Sequence, residues 1–113
     1  MVVNLYYSIL DISYKMSELI FHEKRILSEK ELVEMKIWRV PKSEDFPDRV
    51  KYSFVYVKNK ERILGYDNER GKGHHRHYKN EETKIDFKDP ETLLNQFKEE
   101  IEELKRRWIR KWK

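Results

Sequence analysis

Residues 49–57 read Arg-Val-Lys-Tyr-Ser-Phe-Val-Tyr-Val, and they give the strongest indication of the fold class of the chain. Apolar side chains occupy every second position from Val50 to Tyr56, which is the two-residue period of a β-strand. The other face also becomes apolar near the end of the stretch, so the strand is expected in the middle of a sheet. Residues 58–61 then predict a turn, and residues 62–66 (Arg-Ile-Leu-Gly-Tyr) predict the antiparallel partner strand.

Further strands are predicted on both sides of this pair. Residues 19–27 and 31–40 flank the polar residues 28–30 as two arms of a hairpin would. Residues 41–47 contain two prolines, which cannot donate to a sheet ladder, and they predict a loop. A last short pair is predicted from residues 75–78 and 84–87, around the polar residues 80–82.

The C-terminal part of the chain predicts a helix. Asp89 is a suitable N-cap residue, and Pro90 suits the first helical position. One apolar stripe with a period of 3.6 residues follows, formed by Leu93, Leu94, Phe97, Ile101, Leu104 and Trp108. The chain is therefore expected to be a single α+β domain over residues 1–113, in which an antiparallel β-sheet meander is covered on one face by this helix.

The first sixteen residues support two interpretations. Val2, Leu5 and Ile9 fall at helical spacing, whereas Leu10 and Ile12 begin an alternation typical of a strand. We expect a short N-terminal helix or an irregular segment that passes into a strand.

The composition excludes several classes of protein. The 113 residues are 38% hydrophobic and 41% charged, which is enough apolar surface for one core and argues against disorder. The absence of cysteine excludes a disulfide framework and a thiolate metal site. No apolar run is long enough to span a membrane, and no signal peptide is recognisable, so a cytoplasmic protein is expected. The absence of alanine and the wealth of Lys and Glu are typical of thermophile proteins, and also of AT-rich genomes.

The positive charge is concentrated at the C-terminus. The formal net charge is +4, and residues 105–113 hold six cations and no acid. Arg106, Arg107 and Arg110 are candidates for phosphate contacts, with Trp108 and Trp112 as stacking partners for bases. The alternative is a solvated helix end whose Trp108 belongs to the core.

Residues 65–77 hold all three glycines and three of the four histidines. If the end of this segment is extended, His75 and His77 share a face and His74 opposes them. Two imidazoles on one face can bind a transition metal, or act as acid and base in phosphodiester cleavage. Asp67 can orient a histidine or add a metal ligand. The alternative is a solvated polar loop.

This segment and the residues around it can also bind an anion. Lys72 and Arg76 are cations placed to meet a phosphate, and the amides of the loop from Gly71 to Gly73 can cradle it. The Asn68 side chain is a candidate for contact with the substrate, although Asn at this position is also typical of a simple bend.

The run from Tyr52 to Tyr56, the strand that ends in Tyr66-Asp67-Asn68, and the cluster His74-His75-Arg76-His77 resemble the TumE family of toxin components of toxin–antitoxin pairs. The resemblance covers roughly residues 31–104, and the positions that match directly are Asp67, Asn68, His75 and His77. It implies a toxin, for which RNA is the expected target, and a cognate antitoxin, expected to be of the helix-turn-helix type.

These observations lead to one hypothesis with two alternatives. The first is a ribonuclease-like toxin that uses no metal and no cofactor, with His75 and His77 as acid and base and Asp67 as the orienting group. The predicted substrate-binding residues are Asn68, Lys72, His74, Arg76, Arg106, Arg107 and Arg110. The alternatives are a nucleic-acid-binding module without catalysis, and a protein-binding partner that uses the basic C-terminal helix. A homodimer formed through a sheet edge or through the tryptophans of the helix is also expected.

Overall fold

The computed structural model describes residues 17–69 and 72–112, and its architecture confirms the predicted α+β class. The described residues form one six-stranded sheet in the order β1-β2-β3-β4-β5-β6, in which every neighbouring pair is antiparallel. The elements are β1 Glu18–Ser28, β2 Glu31–Arg39, β3 Val50–Lys58, β4 Glu61–Asp67, β5 His75–Tyr78, β6 Glu81–Lys84 and the helix α1 Pro90–Trp112. The interpretations of the first sixteen residues lie outside the described residues.

The strand β3 lies in the middle of the sheet, as its pattern predicts. Tyr52, Phe54 and Tyr56 are buried on the face that α1 covers, which we call the helix face. The intervening residues of β3 lie on the opposite face, which we call the open face because α1 does not cover it. The turn from β3 to β4 is two residues long, and both Asn59 and Lys60 have positive φ, as the tight turns of β-hairpins require.

The hairpin of β1 and β2 is also confirmed, with a turn at residues 29–30. The strand β1 is an edge of the sheet, and it leaves four large apolar side chains exposed: Leu19, Ile20, Ile26 and Leu27. Its partner β2 contributes the buried residues Val33, Met35 and Ile37 to the helix face.

The last strand differs from the prediction. The structure has β6 at Glu81–Lys84, so the predicted strand 84–87 is wrong. The turn takes only residues 79–80, with Lys79 in a left-handed conformation (φ 54°), and the ladder therefore begins earlier than the polar residues suggested. The N–H of Ile85 still donates to the His74 carbonyl at 3.2 Å, and the chain then leaves the sheet. Ile85 and Phe87 both pack against the core, where Phe87 stacks on His74 with the ring centroids 4.3 Å apart.

The helix begins and packs as predicted. The Asp89 carboxylate accepts hydrogen bonds from the backbone N–H of Thr92 (2.7 Å) and from its hydroxyl (2.9 Å), which is N-cap geometry. These bonds lower the pKa of Asp89. Phe97 is fully buried and lies edge-on against Tyr66 at 4.9 Å. The other buried positions of the stripe are Leu93, Leu94, Ile101 and Leu104.

The helix α1 carries charged groups along most of its length. Among the described residues, no helix combines the length and the apolar composition that crossing a membrane requires.

Candidate functional site

The candidate site lies on the open face, where the end of β4 pairs with the start of β5. Asp67 is directly opposite His75 in this pair, and Gly65 is directly opposite His77. Because directly opposite residues of an antiparallel pair share a face, Asp67, His75 and His77 lie on the same side of the sheet. The sequence prediction that the two histidines share a face is confirmed.

Asp67 and His77 form the closest contact in this group. Oδ2 of Asp67 lies 3.0 Å from Nε2 of His77, and only 18% and 16% of the two side chains are exposed. Oδ1 of Asp67 accepts the backbone N–H of Glu69 at 3.3 Å, which fixes the carboxylate on a second side. With Nε2 turned to the carboxylate, Nδ1 of His77 is the ring atom left to take up a proton.

His75 is held by the loop that precedes it. Its Nδ1–H donates to the backbone carbonyl of Gly73 at 3.1 Å, so Nε2 is the ring atom that can exchange a proton with a ligand. Two positions along a strand separate the Cα atoms of His75 and His77 by about 7 Å.

His74 lies on the other side of the strand and belongs to a different network. Its Nδ1 accepts a hydrogen bond from the Tyr52 hydroxyl at 2.9 Å, and its Nε2–H donates to Oδ2 of Asp48 at 2.9 Å. Burial, and then the charges of Asp67 and Asp48, raise the pKa of Tyr52, so the phenol keeps its proton. The imidazole stacks on Phe87, with the ring centroids 4.3 Å apart, and it lies nearly parallel to the Tyr52 ring at 5.7 Å. The structure therefore does not bring His74 together with the other two histidines.

Asn68 is buried, and both polar ends of its side chain contact the backbone of β3. Its Nδ2–H donates to the carbonyl of Val50 at 2.7 Å, and its Oδ1 accepts the N–H of Tyr52 at 2.9 Å. Only 4% of the residue is exposed. These bonds continue the β3–β4 pairing beyond Asp67 and fix the strand end that carries this carboxylate.

Arg76 points to the helix face, away from His75 and His77. Its guanidinium binds the Glu100 carboxylate of α1 through Nε, at 3.1 and 3.0 Å, and through Nη2. The hydroxyl of Tyr66 donates to the same carboxylate. Burial alone would raise the pKa of Glu100, but the bonds from Arg76 and Tyr66 hold it below 4.5. Sequence reasoning missed Glu100 as the partner of Arg76, since 24 residues separate the two and only the packing of α1 joins them.

Lys72 lies in the loop between β4 and β5. Its Nζ is 3.6 Å from a carboxylate oxygen of Glu69, and more than half of each side chain is exposed. Lys72 precedes the two histidines of the open face by a few residues in the chain.

The C-terminal arginines form a separate cluster on the exposed side of α1. Arg106, Arg107 and Arg110 surround one carboxylate, that of Glu103, at 3.0, 3.5 and 3.5 Å. Arg106, followed by Arg110, lowers the pKa of Glu103. Trp108 points to the sheet instead, where it stacks on Tyr56 at 6.3 Å, as the core interpretation of this residue predicts. Tyr56 lies toward the opposite end of β3 from the residues that face Asp67, so the structure does not bring this cluster to the histidines.

No metal centre is formed by the part of the chain that the structure describes. Within residues 17–69 and 72–112, no group of three or more His, Asp or Glu side chains lies close enough together to hold a metal ion. Asp67 and His77 make a pair, and His75 lies on the same face of the strand, directly opposite Asp67.

Comparison with known proteins identifies a family. The family model described as "Toxin TumE" matches residues 8–105, which is most of the chain and includes the whole candidate site. No curated protein and no solved structure matches.

Proposed function

This chain belongs to the TumE family of toxin components, and we propose that it acts on RNA as a ribonuclease that uses no metal ion. The family match confirms the resemblance drawn from residues 31–104 of the sequence. The observation that supports the reaction is the 3.0 Å contact of Asp67 with His77 on the same face as His75. A carboxylate, an imidazole that it orients and a second imidazole are the parts of an acid–base mechanism.

In the proposed reaction, Nδ1 of His77 takes the proton of a ribose 2′-hydroxyl. The 2′ oxygen forms a bond with the adjacent phosphorus, and the bond from phosphorus to the 5′ oxygen breaks. Nε2 of His75 gives its proton to the leaving 5′ oxygen. The products are a 2′,3′-cyclic phosphate and a 5′-hydroxyl, and Asp67 stabilises the imidazolium that forms at His77.

The other predicted site residues take supporting parts in this proposal. Lys72 lies in the loop next to the site and is the candidate for attracting the phosphate charge. Asn68 fixes the end of β4, and Arg76 fixes β5 against α1 through Glu100. His74 ties its loop to Tyr52 and Asp48. These residues would shape the site rather than react.

The test is cleavage of a labelled RNA by purified protein, with and without a chelator. Replacing His77 or His75 by Gln should lower the cleavage rate by roughly 10²–10⁴-fold, the usual contribution of acid–base groups. His22→Gln is the matched control, because His22 lies on the edge strand β1, where it contacts Glu34. Circular dichroism would establish that each variant is folded.

Two results would contradict the proposal. One is full activity in both the His75 and the His77 variants. The other is loss of wild-type activity on addition of the chelator, which would assign the reaction to a metal ion. End-group analysis of the products provides a further check, because the proposed reaction leaves a cyclic phosphate.

A second candidate function is supported by the arginine cluster. Three guanidinium groups around one carboxylate leave a net positive charge on the exposed side of α1. Such a surface can bind nucleic acid without catalysis, or receive an acidic protein. A toxin of a toxin–antitoxin pair has an antitoxin as its partner, and a helix-turn-helix antitoxin remains our expectation for this chain. The exposed apolar residues of β1, among them Ile26, are the edge at which a homodimer is expected.

A further inference from the structure

The open face next to His77 has a gap in its side-chain surface at Gly65. Gly65 lies between Val55 of β3 and His77 of β5 in the sheet, and it is buried. A Cβ atom at this position would lie 3.1 Å from Cδ and 3.5 Å from Nε of Arg62. The side chain of Arg62 therefore lies over the glycine and occupies the space that a larger residue would fill.

A β-bulge places Arg62 on this face. Tyr56 pairs with Leu64, whereas the next residue, Val57, pairs with Arg62, so Ile63 is an extra residue in β4. Bulges of this kind redirect a side chain at the edge of a functional site. Arg62 follows Val57 onto the open face, and its side chain runs along the strand toward Gly65, the residue opposite His77.

Arg62 also differs from the other candidate cations in its partners. Arg76 is bound to Glu100, and Lys72 lies near Glu69. Within residues 17–69 and 72–112, Arg62 forms no ion pair, and its side chain is exposed. A guanidinium without an acidic partner is free to bind an anion, and Gly65, over which this side chain lies, is directly opposite His77 in the sheet.

We propose that Arg62, seated over Gly65, is the phosphate-binding residue of the His75–His77 site. Its guanidinium would donate to non-bridging oxygens of the phosphodiester while the imidazoles exchange protons with the 2′ and 5′ oxygens. This inference rests on the proposed ribonuclease function. It assigns to Arg62 the phosphate-binding role that the sequence had suggested for Arg76. The proposal requires a glycine at position 65, because the Arg62 side chain occupies the space that a side chain at this position would fill.

The first test is a titration with uridine 3′-monophosphate, followed by NMR on the Arg62 Nε–Hε group and on the histidine rings. In the wild-type protein the Arg62 signal should shift on binding. Arg62→Gln should weaken the affinity about 10-fold or more, the loss expected for a charge-assisted hydrogen bond. Arg62→Lys should retain part of it. Arg25→Gln is the matched control, because Arg25 is an exposed arginine on the distant strand β1, and this change should leave the affinity within about 2-fold.

The second test addresses the position of the Arg62 side chain over Gly65 rather than its charge. Gly65→Ala adds a methyl group against the flexible Arg62 side chain and should weaken binding several-fold with Arg62 itself unchanged. An Arg62 signal that does not shift, or equal affinity in the Arg62→Gln and Arg25→Gln variants, would overturn the proposal. Unchanged affinity in Gly65→Ala would show that binding does not depend on the position of Arg62 over a glycine.

Failure of this inference can be told apart from failure of the ribonuclease proposal. If His77→Gln abolishes RNA cleavage while Arg62→Gln keeps full cleavage and full nucleotide affinity, the ribonuclease stands and the assignment of Arg62 is wrong. If the wild-type protein binds the nucleotide through Arg62 but cleaves no RNA, the anion site stands and the reaction is wrong.

Discussion

Asn68 is a buried amide whose two polar ends are both bonded to the neighbouring strand. It donates to the Val50 carbonyl and accepts the Tyr52 N–H, so it replaces one rung of the sheet ladder with a side chain. The residue before it is Asp67, which contacts His77. A residue of this kind determines where the carboxylate lies without needing to touch a substrate.

Replacing Asn68 with Ala should therefore destabilise the protein and disturb the site. The change leaves two buried backbone groups of β3 without partners, which costs about 1–3 kcal/mol. Urea unfolding would measure the loss in the free energy of unfolding. Asn95→Ala is the matched control, because Asn95 is exposed on α1 and should leave that free energy nearly unchanged. Equal free energies of unfolding for the two variants would show that the Asn68 side-chain hydrogen bonds do not stabilise the protein.

At the scale of elements, α1 and β5 are joined by one polar contact at the edge of an apolar interface. Glu100 of α1 accepts hydrogen bonds from Arg76 of β5 and from Tyr66 of β4. Burial of the carboxylate opposes ionisation, yet its pKa is lowered from 4.5 because the two donors outweigh the burial. The same contact keeps Arg76 on the helix face and leaves His75 and His77 on the open face.

This contact should make stability depend on pH in the acid range. Because the folded-state pKa of Glu100 lies below the unfolded value of 4.5, the stabilisation is complete above pH 4.5 and is lost as the pH falls through the lowered pKa. Thermal unfolding of Glu100→Gln should show a lower Tm than wild type at neutral pH, with the difference narrowing toward acid.

Glu99, the exposed neighbour of Glu100 on α1, provides the control for this prediction. Glu99→Gln removes the same charge from the same turn of α1 without touching Arg76. It should follow the wild-type curve closely. A Tm difference between wild type and Glu100→Gln that stays the same in acid would contradict the proposed dependence of stability on the ionisation of Glu100.

At the level of the entire fold, the sheet separates a face covered by α1 from the open face. The helix face is filled by the aromatic residues of β3 and β4 and by the apolar stripe of α1. The open face presents Asp67, His75 and His77, and the outer side of α1 presents the arginine cluster. The cluster and the histidines do not meet, so binding through one and reaction at the other can be tested separately.

The arginine cluster should govern the salt dependence of RNA binding more than the cleavage step. Replacing Arg106, Arg107 and Arg110 by Gln should reduce the slope of log affinity against log salt by about 2, since each phosphate contact to a single strand contributes about 0.7. Fluorescence anisotropy with a labelled RNA at several salt concentrations would measure it. The triple change at the exposed residues Lys30, Lys42 and Lys60 is a control of equal charge. If both triple variants lose the same slope, the cluster is only part of the general charge of the protein.

Local patterns predicted most of the elements of this fold. The alternation of residues 50–56 predicted a central strand, and the Asp89-Pro90 start with its apolar stripe predicted the helix. Such patterns succeed because side-chain periodicity and capping are properties of short segments. The prediction failed at β6, where a two-residue turn starts the strand early and the packing of Phe87 ends it. That outcome depends on the core, and residues 84–87 alone carry no sign of it.

The sheet meander, the covering helix and the common face of His75 and His77 could be predicted from the amino-acid sequence, because each follows from a repeat of two or 3.6 residues. The family could also be predicted from it, through the segment from Asp67 to His77. The partners of these side chains are known only from the folded structure. Asp67 reaches His77, Arg76 turns to Glu100, His74 to Tyr52 and Asp48, and Arg62 lies over Gly65. These contacts join residues on different elements, and strand register, a bulge and helix packing bring them together, which no local pattern encodes.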